Sequence, residues 1–246
     1  MAGLSILSIT SVAVSVHSSD LRHLLDSNGL IGPFHLSAST ACVRHQLIAA
    51  ATTVQNPRNL HARLHLARQT IADPSITSLV LDLFGSGYLL WRTNFFSRQV
   101  GFSHPGVALH HDKHFQSGNA MVNFEELGDH LSVVIGLDMI DDSNGRFIYL
   151  PGSHFGTPAG MTRDLRPFHL RPIEDHFPAV PPELLRKAQA LSLPAGSFCL
   201  FHSALLHGSC PSSGKSGRTS MVARLVRRHC TIPANCASPD EISFYC

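Results

Sequence analysis

The sequence predicts a mainly β fold, a sandwich or jelly roll backed by helices. Up to about residue 80 the patterns are mostly helical, whereas from Gly87 onward short apolar or β-branched runs are separated by Gly, Pro, Asn and Asp. Short runs bounded by turn residues are typical of strands. Helices followed by at least five such strands favour a jelly roll or a β-sandwich.

Three helices are expected in the first part of the chain. The first contains SDLRHLLDSNGL, where Ser19 or Asp20 can serve as the N-terminal cap and Asn28-Gly29 ends the helix. Asp73-Pro74 is expected to close the last one, because the residue before a proline is disfavoured in a helix. The expected ranges are residues 19–30, about Ala41 to Thr52, and about Asn59 to Ile71.

The strands are predicted from the runs YLLWRTNFF, HLSVVIGLDMI, GRFIYLP, GSFCLFH and TSMVARLVR. Between the third and fourth runs, the segment from Thr157 to Lys187 holds six of the fifteen prolines and predicts an insertion at about 155–187. Long loops of this kind often act as lids or binding loops. We therefore expect one domain, 1–246, in which residues 1–80 give helical support and 87–230 form the core.

Composition narrows the classes of function. The formal net charge is only +2 and the basic residues are scattered, so no nucleic-acid partner is expected. The six cysteines include no Cys-x-x-Cys pair and are expected to be reduced thiols. Met1 to Val16 is apolar but carries no Lys or Arg, which disfavours a signal peptide. Without a later apolar run of about 18 residues, we expect no membrane span and a cytoplasmic monomer or homodimer acting on a small molecule.

Three histidines and an aspartate lie within VALHHDKHF, residues 107–115. In an extended segment His110 and Asp112 point to the same side and His111 points away, because side chains alternate with period two. An imidazole and a carboxylate on one side supply two thirds of the facial triad that holds non-haem Fe(II). The third ligand has to come from elsewhere in the chain.

Two candidates for that third ligand, His202 and His207, lie in FHSALLHGS, and spacing alone does not choose between them. Arg218 follows eleven residues after His207 and opens RTSMVAR. Alternation along this strand places Arg218, Ser220, Val222 and Arg224 on one face. A buried arginine can bind a carboxylate through two parallel hydrogen bonds.

Four blocks in order resemble the phytanoyl-CoA dioxygenase-like (PhyH) family of Fe(II)/2-oxoglutarate oxygenases. They are LWRTNFF near residue 90, HHD before residue 113, NGRFIYLPGSH at 144–154, and FHSALLHGS followed by RTS. Together they cover much of the chain from about residue 87 to 228. The resemblance implies a double-stranded β-helix, the cupin-like form of the jelly roll.

The resemblance also implies roles for individual residues and cofactors. His110, Asp112 and His207 would bind Fe(II), and Arg218 would bind the far carboxylate of 2-oxoglutarate. Ser209 and Asn94 match positions that lie near this cosubstrate. The implied reaction uses O₂ and decarboxylates 2-oxoglutarate to succinate and CO₂ while an unactivated carbon is hydroxylated. Asp112 disfavours halogenation, because halogenating relatives have a small residue there, whereas desaturation or ring formation stays open.

The substrate is expected to be a small polar metabolite or a natural-product intermediate, with Arg224, His154 and His114 as candidate contacts. A competing hypothesis places His110 and His114 four residues apart on a helix, as in a zinc hydrolase. The chain lacks the glutamate that such enzymes carry directly after the first histidine. A second alternative is a non-catalytic jelly-roll binding module, against which the complete ligand set argues.

Overall fold

The computed structural model describes residues 18–42, 44–53, 58–117, 120–124, 126–156, 182–232 and 242–243. The α-helices are α1 (Ser18–Asn28), α2 (Ala38–Cys42), α3 (Arg44–Thr52), α4 (His65–Ile71), α5 (Pro74–Phe84) and α6 (Pro182–Leu185), and 3₁₀ turns span Leu60–Ala62 and Ser153–Phe155. The strands are β1 (Leu30–His35), β2 (Tyr88–Arg98), β3 (Val107–His110), β4 (His114–Ser117), β5 (Ala120–Asn123), β6 (His130–Gly136), β7 (Phe147–Tyr149), β8 (Gln189–Leu191), β9 (Ser197–His202), β10 (His207–Ser209), β11 (Arg218–Arg227) and β12 (Ile242–Ser243). The predictions about residues 1–16 and most of the insertion lie outside the described residues.

The strands form a six-stranded sheet, β1-β9-β6-β11-β2-β12, a four-stranded sheet, β3-β10-β7-β8, and the hairpin β4-β5. The strand pairs are antiparallel. One apolar cluster joins the two larger sheets, since Val134, Phe201 and Val222 of the first pack with Phe147 and Tyr149 of the second. The predicted jelly roll with flanking helices is confirmed.

The other face of the six-stranded sheet packs against the helices. Leu25, Leu47 and Ile76 of the helices share a buried cluster with Met221 and Leu225 of β11. Because both faces of the sheet are covered, all seven residues of β6 are buried, including the polar His130 and Ser132. The alternation along β11 therefore separates a helix-facing side from a side that faces the interior between the sheets.

The helical predictions were right in part. The first helix is confirmed at Ser18–Asn28 and ends before Gly29, whose φ is +80°. The other two each divide into shorter elements, α2 with α3, and the 3₁₀ turn at Leu60–Ala62 with α4. Asp73-Pro74 does more than close a helix, since Pro74 is the first residue of α5, which the sequence interpretation missed. Proline is favoured at this position because the first helical N–H needs no partner within the helix.

Strand β1 was also missed. Its sequence, LIGPFH, contains a glycine and a proline, which disfavour a strand in any pattern-based prediction. The strand nevertheless pairs with β9 at the edge of the six-stranded sheet, and the register shifts between Ile31 and Phe34. An edge strand tolerates Pro33, because its other side needs no ladder hydrogen bonds.

Two further expectations concern cysteines and membrane spans. The four cysteines within the described ranges, Cys42, Cys199, Cys210 and Cys230, are free, in agreement with the prediction of reduced thiols. In the part of the chain that the structure describes, none of the helices has the length and apolar character needed to cross a membrane.

Asp73 joins α5 to the segment that precedes α2. Its carboxylate accepts hydrogen bonds from the backbone N–H groups of Ser75, at 2.9 Å, and Ser37, at 3.1 Å, and from the Ser37 hydroxyl, at 2.6 Å. Burial alone would raise the pKa of Asp73, but these bonds and one from Thr40 outweigh it and hold the pKa below its ordinary value. The carboxylate is thus both a helix cap and a tertiary link.

Asp73→Ala is expected to lower the free energy of unfolding by about 2–3 kcal/mol at neutral pH, because it removes a helix cap and takes away the acceptor of several partly buried donors. Since folding depresses this pKa, the contribution is present above about pH 4 and is lost as the pH falls through the lowered pKa. Urea unfolding of both proteins at pH 7 and in acid measures the difference, which should shrink in acid. Asp82→Ala, an exposed change on the same helix, should cost no more than about 0.5 kcal/mol; an equal loss there would contradict the prediction.

Candidate metal centre and cosubstrate pocket

Two histidines face each other in the four-stranded sheet. His110 ends β3 and His207 begins β10, and the antiparallel register pairs one with the other. Their ring centroids are 4.5 Å apart. Gly208 allows this approach, because a Cβ at that position would collide with the carbonyl oxygens of Val107 and Ala108 on β3. The glycine of the H-G-S step therefore has a packing role beside the histidine.

Asp112 completes a three-residue cluster. It lies in the bend after β3, where its backbone N–H donates to the Ser203 carbonyl at 2.7 Å. Its Oδ1 is 4.0 Å from His110 Nε2 and its Oδ2 is 3.7 Å from His207 Nε2, and one ligand atom from each residue lies within 4.8 Å of the others. His110 and Asp112 thus converge although the strand ends at His110.

Backbone carbonyl groups orient the imidazole rings of His110 and His207 through hydrogen bonds to Nδ1. His110 Nδ1 donates to the Ala108 carbonyl and His207 Nδ1 donates to the Leu205 carbonyl, each at 2.9 Å. A carbonyl oxygen only accepts, so these bonds place the proton on Nδ1 and leave the lone pair of Nε2 directed toward Asp112. Outer hydrogen bonds of this kind fix the tautomer of metal-binding histidines. The donor set of two imidazoles and a carboxylate fits a non-haem Fe(II) ion.

The structure separates His202 from this cluster. Along β9, Phe201 faces the interior between the sheets and Phe198 and Leu200 face the helices, and His202 follows the latter side. The His202 ring stacks on His154 with centroids 5.3 Å apart. Burial, and then His154 and Arg22, lower the pKa of His202 to about 4. Of the two candidates that spacing left open, His207 is the one that lies beside His110 and Asp112.

An arginine holds the carboxylate of the cluster. Arg224 Nη2 is 2.8 Å from Asp112 Oδ2, and its Nη1 donates to Asn94 Oδ1 at 2.9 Å. Burial alone would raise the pKa of Asp112, but Arg224, followed by His207 and His110, outweighs burial and holds the pKa far below its ordinary value. Arg224 and Asn94, predicted as substrate and cosubstrate contacts, are thus joined to Asp112 in one chain of hydrogen bonds, and their direct contacts stay predictions.

His207 and His130 provide neutral rings around this carboxylate. Burial, and then His110, lower the pKa of His207 to about 4, which keeps it in the neutral form that can bind a metal. His130 was not singled out from the sequence. It begins β6, packs on Trp91 and Phe124 at 5.6 and 4.5 Å between ring centroids, and has its pKa lowered to about 3 by burial and then by Arg224. Its position at the head of the HLSVVIG run was the one sequence signal.

Arg218 lies at the other end of β11 from Arg224. The predicted alternation is confirmed, since Val222 packs between the sheets while Met221 and Ala223 face the helices. Arg218 Nη1 donates to the Gly145 carbonyl, and its Nε is buried without a hydrogen-bond partner. Burial, and then Arg98, lower the pKa of Arg218 to about 10. A partly buried arginine with an unused donor fits the carboxylate of a dicarboxylic cosubstrate.

Arg98 is the neighbour that the sequence interpretation missed. It is the last residue of β2 and pairs in register with Arg218. Its Nη2 donates to Ser209 Oγ at 2.7 Å, and its Nη1 donates to the carbonyls of Asn144, at 2.8 Å, and Cys210, at 3.2 Å. Alternation from Arg92 through Asn94 reaches Arg98 on the same face and was the available signal.

The remaining predicted contacts lie away from the cluster or in undescribed parts. His154 is buried, its Nε2 donates to the Asp26 carbonyl at 3.1 Å, and it lines a cavity of about 520 Å³ on the helix side with His202 and Phe84. His114 begins β4, and its side chain is outside the described part of the molecule. The zinc-hydrolase hypothesis required His110 and His114 to lie on one helix. It is wrong on this point, because the two histidines belong to two strands, β3 and β4, and no helix joins them.

The family model of phytanoyl-CoA dioxygenase (PhyH) matches residues 34–220. This span includes His110, Asp112, His207 and Arg218. The chain belongs to this family. It is accordingly a non-haem iron, 2-oxoglutarate-dependent oxygenase, as the resemblance of the four sequence blocks implied. No curated protein matches the sequence.

Solved structures share the fold at low sequence identity. The apo non-haem monooxygenase ThoJ is 20% identical over 86% of this chain and 79% of its own, with a TM-score of 0.63. The non-haem α-ketoglutarate-dependent carbocyclase SnoK from nogalamycin biosynthesis is 15% identical over 84% and 83%, also at 0.63. HygX from Streptomyces hygroscopicus, with nickel and 2-oxoglutarate bound, is 14% identical over 87% and 88%, at 0.60. The PhyH oxygenases and these proteins thus have a common jelly-roll core.

His207→Ala is expected to weaken metal binding more than roughly hundredfold, since the loss of an outer partner alone costs about 10–100-fold. His202→Ala should bind the metal as the unchanged protein does, because its ring lies on the helix side of the sheet. Calorimetric titration with Ni(II), on protein whose folding is checked by circular dichroism, measures both. Loss of binding in His202→Ala alone would reverse the assignment.

Arg224→Met is expected to weaken metal binding about tenfold, because Asp112 loses the partner that orients it. Arg228→Met is a matched control on an exposed arginine four residues farther along the chain and should leave the affinity unchanged. The same nickel titration applies to both. Unchanged affinity in Arg224→Met would show that Asp112 needs no support from this arginine.

Proposed function

We propose that His110, Asp112 and His207 bind the iron and that Arg218 binds the distal carboxylate of 2-oxoglutarate, with Ser209 and Asn94 near other parts of the cosubstrate site. The observation that carries the proposal is the convergence of two imidazoles and one carboxylate, whose ligand atoms lie within 4.8 Å of one another. Both histidines already direct Nε2 toward the common point. A zinc site built for hydrolysis would use a nearby glutamate as base, which HHDKH does not provide.

Bound Fe(II) and 2-oxoglutarate would supply oxidation by O₂, coupled to decarboxylation of 2-oxoglutarate to succinate and CO₂. Arg224 keeps Asp112 ionised and oriented, and the aromatic rings of Phe147 and Phe201 pack around His207 at 5.6 and 4.7 Å and exclude water from it. Arg218 lies six residues before Arg224 on the same face of β11. It would bind the distal carboxylate, so that the cosubstrate extends inward between the sheets.

The proposed reaction is hydroxylation of an unactivated carbon in a small polar metabolite or natural-product intermediate. The likeness to ThoJ, a monooxygenase, and to SnoK, from nogalamycin biosynthesis, supports this class. SnoK is a carbocyclase, so ring formation or desaturation is the alternative outcome. Turnover under ¹⁸O₂ separates them, because hydroxylation puts one labelled oxygen into the product. A single domain and a monomeric or homodimeric state stay predictions.

Asp112→Ala is expected to abolish succinate formation at ordinary iron concentrations, because it removes one of the three proposed ligands and deprives the partly buried Arg224 of its ion-pair partner. Succinate is measured with the unchanged protein under the same conditions. Asp82→Ala, with its exposed carboxylate, is the control and should retain activity. Full turnover in Asp112→Ala would contradict the ligand assignment.

A screen of amino acids and related metabolites for compounds that stimulate the release of succinate would identify the substrate class. Joint binding of Fe(II) and 2-oxoglutarate is measured separately by the visible charge-transfer band of the anaerobic complex. If that band is absent, the non-catalytic binding module is favoured over the enzyme.

A further inference from the structure

Arg98 and Arg218 stand directly opposite each other on β2 and β11. Like charges at opposed positions of neighbouring strands are destabilising, and burial increases the cost. Arg98 is only 9% exposed, and burial lowers the pKa of its guanidinium as it does for Arg218. Placing these two guanidinium groups opposite each other therefore destabilises the fold unless an anion compensates their charge.

Among the described residues, the groups that accept hydrogen bonds from these arginines are all neutral. Asn144 and Gly145 are consecutive residues of the N-G turn, and their carbonyls accept from Arg98 and Arg218 respectively. Ser209 and Cys210 contribute a hydroxyl and a carbonyl to Arg98. Within the described residues no carboxylate forms an ion pair with either arginine. The carbonyl groups of one turn thus hold both guanidinium groups in the same region, and these neutral acceptors do not compensate the two positive charges.

Their place in the fold relates this region to the proposed iron site. Ser209 is two residues beyond His207 on β10, and both face the interior between the sheets, where Phe147 packs. Arg98 Nη2 reaches Ser209 from the neighbouring sheet at 2.7 Å. A dicarboxylate that extends inward from the metal ligands along β10 would reach Ser209 and the two arginines with its far end.

We propose that Arg98 is a second anchor for the distal carboxylate of 2-oxoglutarate, which is held between Arg98 and Arg218. This inference rests on the proposed function. Arg98 also orients Ser209, so the hydroxyl acts with the arginine and not alone. Because the second guanidinium acts on the cosubstrate and not on the metal or the substrate carbon, its loss affects the affinity for 2-oxoglutarate more than the turnover rate at saturation.

The planar guanidinium group of arginine can donate two parallel hydrogen bonds to a carboxylate, and the ammonium group of lysine cannot reproduce this geometry. Arg98→Gln removes the charge and the fork, whereas Arg98→Lys keeps the charge only. Arg68→Gln is the matched control, because Arg68 likewise donates to backbone carbonyls, those of His61 and Ala62, but lies in the helical part. It measures what the loss of a purely structural arginine does to the fold.

The test is the affinity of the anaerobic Fe(II) proteins for 2-oxoglutarate and for 2-oxopentanoate, which has the same chain without the distal carboxylate. Both are titrated through the charge-transfer band. Arg98→Gln is expected to lower the affinity for 2-oxoglutarate roughly ten- to hundredfold, and Arg98→Lys is expected to lower it less. The affinity for 2-oxopentanoate is expected to be the same in all of these proteins. Arg68→Gln should leave both affinities unchanged. Fe(II) affinity of each variant is measured first.

Two results would overturn the proposal about Arg98. One is unchanged affinity of Arg98→Gln for 2-oxoglutarate. The other is equal weakening for both ligands, which would show that Arg98 acts only through the structure of the pocket. A different result, no charge-transfer band in the unchanged protein, would overturn the proposed function itself and this inference with it.

Discussion

The antiparallel pairing of β3 with β10 is the constraint on which the site depends. It sets His110 opposite His207 at the ends of two short strands, and Gly208 lets the strands approach because a side chain there would strike the carbonyls of β3. The backbone carbonyls of Ala108 and Leu205 then orient both rings. The site is thus built largely from main-chain geometry.

Strand β11 organises the charges along the pocket. Its inward face carries Arg224 beside Asp112 at one end and Arg218 beside Arg98 at the other, with Val222 packed between the sheets. The first arginine has a carboxylate within the protein, whereas the second pair faces neutral groups. Buried charges need partners, so this asymmetry points to an anion supplied by a ligand. Coverage of both faces of the sheet keeps the strand in this register.

Local patterns predicted the elements where they were unambiguous. The β2, β6, β9 and β11 runs are rich in apolar, aromatic or β-branched residues and are bounded by turn residues, so their assignment did not depend on a distant partner. Asp73-Pro74 is ambiguous, because the same dipeptide can end one helix and begin the next. LIGPFH forms β1 only because β9 offers it an edge, and that partner is more than 160 residues away in the sequence. Such dependence on a distant strand is invisible to any local pattern.

The sequence by itself determined the family and the jelly-roll class and predicted the types of iron ligand, because ordered motifs and period-two alternation are local properties. The tertiary structure set His207, which the family resemblance had already favoured, beside His110, and it turned His202 toward the helices. It alone brought Arg98 to Ser209 and His130 to the neighbourhood of Asp112. These neighbours come from different strands, and spacing along the chain carries no information about which strands the sheets place side by side.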